Sequence, residues 1–232
     1  MRRNNCDSPL PQQTRKIGPT RRSVSGYYPF RLEKHIQYES ALERDFIIRK
    51  DFSLSVQDVI PQPCQIPFVL NGQSFNYTPD FLVFYKLGTA SFPGYTKPLL
   101  VEVKPAQEWR KNWRKWLPKW KAAYAYAKQQ GWIFRIHDES RIRDVAFLNI
   151  TFLERYKRMQ FSHEESEYIL KTVQEMGSAP FHYLLARHFM GIYRGQGIAH
   201  LWHLLALRQL DCDITLPLND FTELWIPEHD SE

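Results

Sequence analysis

Asp80, Glu102 and Lys104 place two acids and a base on two short apolar runs, "YTPDFLVFY" and "LLVEVKPAQEW". Those residue types are what phosphodiester hydrolysis needs. A hard divalent cation such as Mg²⁺ prefers oxygen ligands, takes one or two carboxylates and keeps several waters. It lowers the pKa of a water and neutralises charge on a phosphoryl oxygen. A nearby ammonium can hold that water or stabilise the pentavalent transition state. Alternation along a strand sends Glu102 and Lys104 to one face, about 7 Å apart, and Val101 and Val103 to the other. The same pattern fits a solvated sheet edge, so the rest of the chain must supply the other half of the site.

Asp80 supplies it if its strand lies beside that of Glu102. It follows Pro79 at the head of an apolar strand, and proline, lacking an N–H, marks where pairing begins. A hairpin connection joins the two strands, so their carboxylates can converge on a rigid mount. A helix ahead of them carries further acids in "ESALERDFIIRKDF". Glu39 and Glu43 lie one helical turn apart there, and spacing alone leaves either as a contributor.

The elements that must position these residues follow from periodicity. From Arg31, "EKHIQYESALERDFIIRKDF" places Ile36, Leu42, Phe46 and Ile47 near one stripe and predicts a helix. The runs "CQIPFVLNG", "SFNYTPDFLVFY" and "PLLVEVK" read as strands, with turn signals at Asn71-Gly72 and Pro93-Gly94. A helix through Ala106–Trp116 restarts at Pro118 and stops at Gly131, and "WIFRIHDE" is another strand. The order predicts a mixed α/β core over 31–145.

Beyond Asp144 the texture changes. Ser162 and Glu165 form a capping box that opens "SHEESEYILKTVQEMG". "PFHYLLARHFMG" and "GIAHLWHLLALRQL" follow as helices, then "DITLPL" and "FTELWIP" as brief strands. Three helices and a terminal ribbon predict a small winged-helix-like domain over 146–232. Residues 1–30 hold Arg2, Arg3, Arg15, Lys16, Arg21 and Arg22 against one acid, Asp7. Such a segment buries too little apolar surface to offset chain entropy and reads as a flexible basic arm, either a solvated terminus or a tracker of phosphates through Arg21 and Arg22.

The 232 residues, 43% apolar and 24% charged, suit a soluble protein of one large or two modest domains. A net charge of +6 with 15% aromatics favours a polyanionic partner. No apolar stretch approaches the roughly 20 residues of a bilayer span, so no membrane partner is expected. "MRRNNCDSPLPQQTRK" lacks the apolar core of a secretory signal. Cys6, Cys64 and Cys212 are odd in number and far apart, which argues against a disulfide framework or zinc cluster and for a reducing cytoplasm.

Trp109, Trp113, Trp116 and Trp120 recur at helical spacing and read as a core face, with Arg110, Lys111, Arg114, Lys115, Lys119 and Lys121 opposite. Arg110, Lys111, Arg114 and Lys115 are the expected DNA-phosphate contacts, orienting a duplex without reading its sequence. His200 and His203 lack a matching acid or cysteine and read as packed, as do His182 and His188. The helix "GIAHLWHLLALRQL" carries only Arg208 as a fixed cation. That suits protein docking better than a DNA groove.

The stretch from "ESALERDFIIRKDF" through "YTPDFLVFY" to "LLVEVKPAQEW" resembles the N-terminal domain of TnsA, the endonuclease subunit of Tn-seven-type heteromeric transposases. The tail "HLLALRQLDCDITLPLNDFTELWIP" looks like that family's helical C-terminal domain. The resemblance implies a restriction-endonuclease-like core, with Asp80 and Glu102 as metal carboxylates and Lys104 as the catalytic lysine. It favours Glu43 over Glu39 as the helix glutamate. Some relatives carry Gln in place of Glu102; the acid here still fits a metal ligand. The implied cofactor is Mg²⁺, with Mn²⁺ substituting. The implied reaction is nicking at the 5′ ends of transposon DNA, while a TnsB-type transposase cuts the 3′ ends and a TnsC-type AAA+ regulator links both to target selection. The chain looks shorter than the prototype and closer to the CRISPR-associated branch. A stand-alone restriction or repair nuclease of the same fold and a non-catalytic DNA-binding adaptor are the alternatives, and the intact acid–acid–lysine set counts against the second.

Overall fold

A computed structural model of the chain describes residues 11–14, 24–87, 95–189 and 191–227. The basic residues Arg2, Arg3, Arg15, Lys16, Arg21 and Arg22 and the Pro93-Gly94 turn signal lie outside the described residues. The chain divides into two compact units, Met1–Arg141 and Ile142–Glu232.

The first unit begins with an antiparallel hairpin, β1 (Gly26–Phe30) and β2 (Lys34–Tyr38), where periodicity suggested an arm and then a helix. Its turn places Arg31 and Leu32 at positive φ, 51° and 60°. Helix α1 starts only at Ala41 and runs to Phe52. Ser40 is the reason: its hydroxyl accepts the Glu43 N–H while the Glu43 carboxylate reaches back to the Glu39 N–H, a reciprocal capping box that fixes the first turn. Glu39 therefore precedes the helix rather than sharing a face with Glu43. Ile36, which matched the helical stripe, is a buried residue of β2.

Next come β3 (Val56–Pro61), β4 (Ile66–Leu70), β5 (Gln73–Tyr77), β6 (Phe81–Tyr85) and β7 (Leu99–Val103). The run read as one strand, "SFNYTPDFLVFY", is thus two, broken at Thr78–Asp80 where Pro79 can donate nothing to a ladder. β4 and β5 form their own ribbon around Asn71 and Gly72, both at positive φ. The long helix α2 (Ala106–Gln129) leads to β8 (Ile133–His137) and the short α3 (Glu139–Ile142). The main sheet has the order β3-β6-β7-β8, antiparallel except for the parallel β7–β8 pair that α2 connects. Helix α2 is continuous through Pro118, not restarted there. Trp120, Ala123 and Ala127 bury its far half against Leu82, Leu100 and Phe134, and that packing offsets the one backbone hydrogen bond a proline removes.

The second unit holds α4 (Val145–Leu153), α5 (His163–Met176), α6 (Phe181–His188) and α7 (Arg194–Ala206). Ser162 caps α5 and Gly177, at φ 80°, ends it. The ribbon pairs β9 (Ser178–Pro180) with β10 (Glu223–Trp225). "DITLPL" is not a strand: Asn149 Nδ2 donates to the carbonyls of Ile214 (2.9 Å) and Leu216 (2.7 Å) and holds that segment as a loop. Among the described residues no helix is long and apolar enough to cross a membrane.

Candidate active site

Pairing of β6 with β7 fixes the first two acids. The register sets Phe81 opposite Val101, so Asp80 stands at the mouth of β6 one step beyond the pair. Its own N–H donates to the Val101 carbonyl (3.1 Å), and its Oδ2 accepts the Val103 N–H (2.7 Å). Asp80 is therefore held by β7 through both its backbone and its side chain. Glu102 sits inside β7, between β6 and β8, and is 1% exposed. That burial removes the solvated-edge reading: a carboxylate this enclosed must be paired.

Lys104 follows the last residue of β7 and extends the ladder, its N–H donating to the His137 carbonyl (3.0 Å). Its ammonium lies 3.7 Å from Asp80 Oδ2 and 3.8 Å from Glu102 Oε1, between the two carboxylates. Burial alone would lower the Lys104 pKa, but Asp80 and Glu102 hold it above the ordinary lysine range. Burial pushes Asp80 well above the usual carboxylate range; the charges of Glu102 and Glu43 push the same way, with Lys104 opposing.

Glu43 is buried at the start of α1, and burial raises its pKa too. Its charge acts on both Asp80 and Lys104. Both of its oxygens accept local bonds, Oε2 from the Glu39 N–H (2.8 Å) and Oε1 from the Ser40 hydroxyl (3.0 Å), and among the described contacts no ion pair joins it to Lys104 as those of Asp80 and Glu102 do. Among the described residues no three His, Cys, Asp or Glu side chains stand together as a ready ligand set. What converges is a pair, Asp80 and Glu102. The pair fits Mg²⁺, which takes one or two carboxylates and fills its shell with water. Two ammoniums accompany the pair: Lys104 stands beside both Asp80 and Glu102, and a second lysine stands beside Glu102.

That second lysine is the residue sequence reasoning misplaced. Lys119 was assigned to the solvated side of α2, but its ammonium is 2.9 Å from Glu102 Oε1. Tyr77, at the end of β5, donates its hydroxyl to Glu102 Oε2 at 2.6 Å. The available signal was positional: Lys119 lies three residues after Trp116 and one before Trp120, at the rim of the Trp stripe. The stripe itself is graded, with Trp120 buried, Trp109 and Trp116 partly buried and Trp113 exposed. Trp109 Nε1 donates to Asp138 (3.0 Å) and the Glu139 carboxylate accepts the Ala106 N–H (2.7 Å), so the acids after β8 fix the start of α2.

Arg110, Lys111, Arg114 and Lys115 are all exposed on α2. The guanidinium groups of Arg110 and Arg114 lie over the rings of Trp109 and Trp113, at 5.6 and 5.3 Å. Arg21 and Arg22, the other expected DNA contacts, fall outside the described residues.

In the second unit α7 is mostly buried, and Arg208 makes a bidentate pair with Asp211 at 2.7 and 2.8 Å. Neither property suits a helix that reads a DNA groove. His200 is fully buried, its Nε2 bonded to the Ser166 hydroxyl (2.8 Å), and His203 Nδ1 meets the Tyr156 carbonyl (2.7 Å). Cys64 and Cys212 are free and buried.

Comparison with known families agrees with this layout. No curated protein matches the chain. Residues 53–139 match the model for the TnsA-like endonuclease N terminal, a span holding Asp80, Glu102, Lys104 and α2 but starting after α1 and Glu43. Residues 141–214 match the TnsA endonuclease C terminal, a span that lies in the second unit from Ile142 onward. With both domains in tandem, the chain is a DNA endonuclease and belongs to the TnsA family.

Proposed function

We propose that the chain is the subunit of a Tn-seven-type transposase that cuts the 5′ ends of the transposon, acting with a TnsB-type transposase at the 3′ ends and a TnsC-type AAA+ regulator. The observation that carries this reading is the Lys104 ammonium placed 3.7 and 3.8 Å from the carboxylates of Asp80 and Glu102 at the ends of adjacent strands. Asp80 and Glu102 would hold Mg²⁺, or Mn²⁺ in its place. The bound cation would supply a water of lowered pKa and neutralise charge on a phosphoryl oxygen.

The protein's own groups have separate tasks. The Val103 N–H bonds Oδ2 of Asp80 and fixes the orientation of that carboxylate beside Lys104. Lys104 presents donors that hold the attacking water or stabilise the phosphorane oxygens. Glu43 adds negative charge from α1; to ligate directly it must release the Glu39 N–H and the Ser40 hydroxyl. Arg110, Lys111, Arg114 and Lys115 bind phosphates along the duplex. In-line attack leaves a 3′-hydroxyl and a 5′-phosphate.

The antiparallel β6–β7 pair carrying the acids and the parallel β7–β8 crossover support a restriction-endonuclease-like core. The α4–α7 bundle with its ribbon supports a winged-helix-like domain that docks protein partners. The test is excision by the assembled transposase containing Asp80→Ala. The expected result is intact assembly and 3′-end cutting with no 5′-end cutting. Full excision by that complex would overturn the site, and efficient cleavage by the wild-type chain alone would favour a stand-alone nuclease.

A further inference from the structure

The environment of Lys119 is built with more care than charge balance requires. A lysine is almost never enclosed unless paired, and this side chain is 19% exposed. Its ammonium sits 2.9 Å from Glu102 Oε1 and over three aromatic rings, Tyr77 at 4.7 Å, Trp116 at 5.1 Å and Trp120 at 5.9 Å. Ring faces attract a cation and fix its position. One of those rings, Tyr77, turns its hydroxyl to the other oxygen of the same carboxylate, at 2.6 Å. Both oxygens of Glu102 are thus held from outside β7, one by α2 and one by β5.

We infer that Lys119 and Tyr77 are positioning residues, a clamp that orients the Glu102 carboxylate for the divalent cation and ties the basic helix α2 to the cutting centre. This rests on the reading of Asp80 and Glu102 as cation ligands. Outer partners that orient a ligating carboxylate govern where the cation sits as much as how tightly it binds. Lys119 also places a positive charge next to the cation, which opposes binding. Removing it therefore separates the two effects: affinity holds or tightens while geometry is lost.

The test pairs Mn²⁺ binding to the full chain, read by electron paramagnetic resonance, with 5′-end cleavage at saturating Mg²⁺ in the assembled transposase. For Lys119→Met the expected result is a Mn²⁺ dissociation constant unchanged or up to about 10-fold lower, with the saturated cleavage rate at least about 10-fold down. Tyr77→Phe removes one oxygen and keeps the ring; a smaller fall of about 3- to 10-fold with Mn²⁺ binding retained is expected. If Lys119→Met does not fold, Tyr77→Phe decides on the same criteria. Wild-type cleavage rates overturn the clamp, and so does loss of Mn²⁺ binding in step with loss of cleavage. Asp80→Ala separates the layers: if it binds Mn²⁺ like wild type, the ligand reading itself fails, whereas lost binding there beside a wild-type Lys119→Met rejects only the clamp.

Discussion

Each unit hides polar side chains, and it hides them in opposite ways. In the first, buried Glu43 and Glu102 and partly buried Asp80 gather with Lys104 and Lys119, and burial, helped by the charges of Glu102 and Glu43, pushes Asp80 well above the normal carboxylate range. In the second, His200 is stacked on Phe161 at 4.4 Å, bonded to Ser166 and lowered to about 4 by burial and by the neighbouring His203 and His188. One cluster sets acids against two lysines; the other is held neutral by burial and leaves His200 Nδ1 and His188 Nε2 without a hydrogen-bond partner. The first arrangement holds the oxygen ligands that the proposed cation would need, whereas the second offers an imidazole stacked on an aromatic ring. Buried polarity points to a site when it gathers several acids and bases whose pKa values their surroundings shift.

The sharpest way to break the contrast is to neutralise each cluster. Asp80→Asn should lower 5′-end cleavage by about 10³-fold or more. It should also raise the melting temperature of the metal-free protein, a gain of about 1 kcal/mol, because it removes a crowded charge. A cleavage defect accompanied by destabilisation would place Asp80 with the structural residues. Lys104→Ala should lower cleavage by about 10²- to 10³-fold without abolishing DNA binding.

His200→Ala should do the reverse, costing about 2–4 kcal/mol of stability while the folded fraction cleaves normally. The pH dependence has a definite sign. His200 is held neutral in the fold at about 4 against 6.5 when unfolded, so its contribution is complete above pH 6.5 and lost as pH falls towards 4. Thermal melts should show that acid limb shrinking in His200→Gln. The smallest effect is expected on the exposed face of α2. Changing Arg110, Lys111, Arg114 and Lys115 together to Ala should reduce the log–log salt slope of DNA binding by up to about 3–4, and an unchanged slope would remove them as phosphate contacts.

How much of this was legible in the sequence depended on whether the deciding contact was local. That Asp80, Glu102 and Lys104 come together could be read because strand alternation and Pro79 are local facts, and the capped helix α5 was read for the same reason. The β1–β2 hairpin was read as helix because Ile36 fell on a helical stripe by chance, although the Ser40–Glu43 capping box that begins α1 was present in "ESALE". β3 and β9 escaped because their partners, β6 and β10, are distant in sequence. Lys119 was missed because a lysine among arginines and lysines looks solvated until Glu102 and the Tyr77 ring are seen beneath it.

The proposed chemistry requires one cation bound by both Asp80 and Glu102. Anomalous diffraction from crystals soaked in Mn²⁺ tests it directly. The prediction is a single strong peak about 2.0–2.3 Å from an oxygen of each carboxylate. A peak bound elsewhere, or none beside these two side chains while Mn²⁺ supports cleavage in solution, would contradict it.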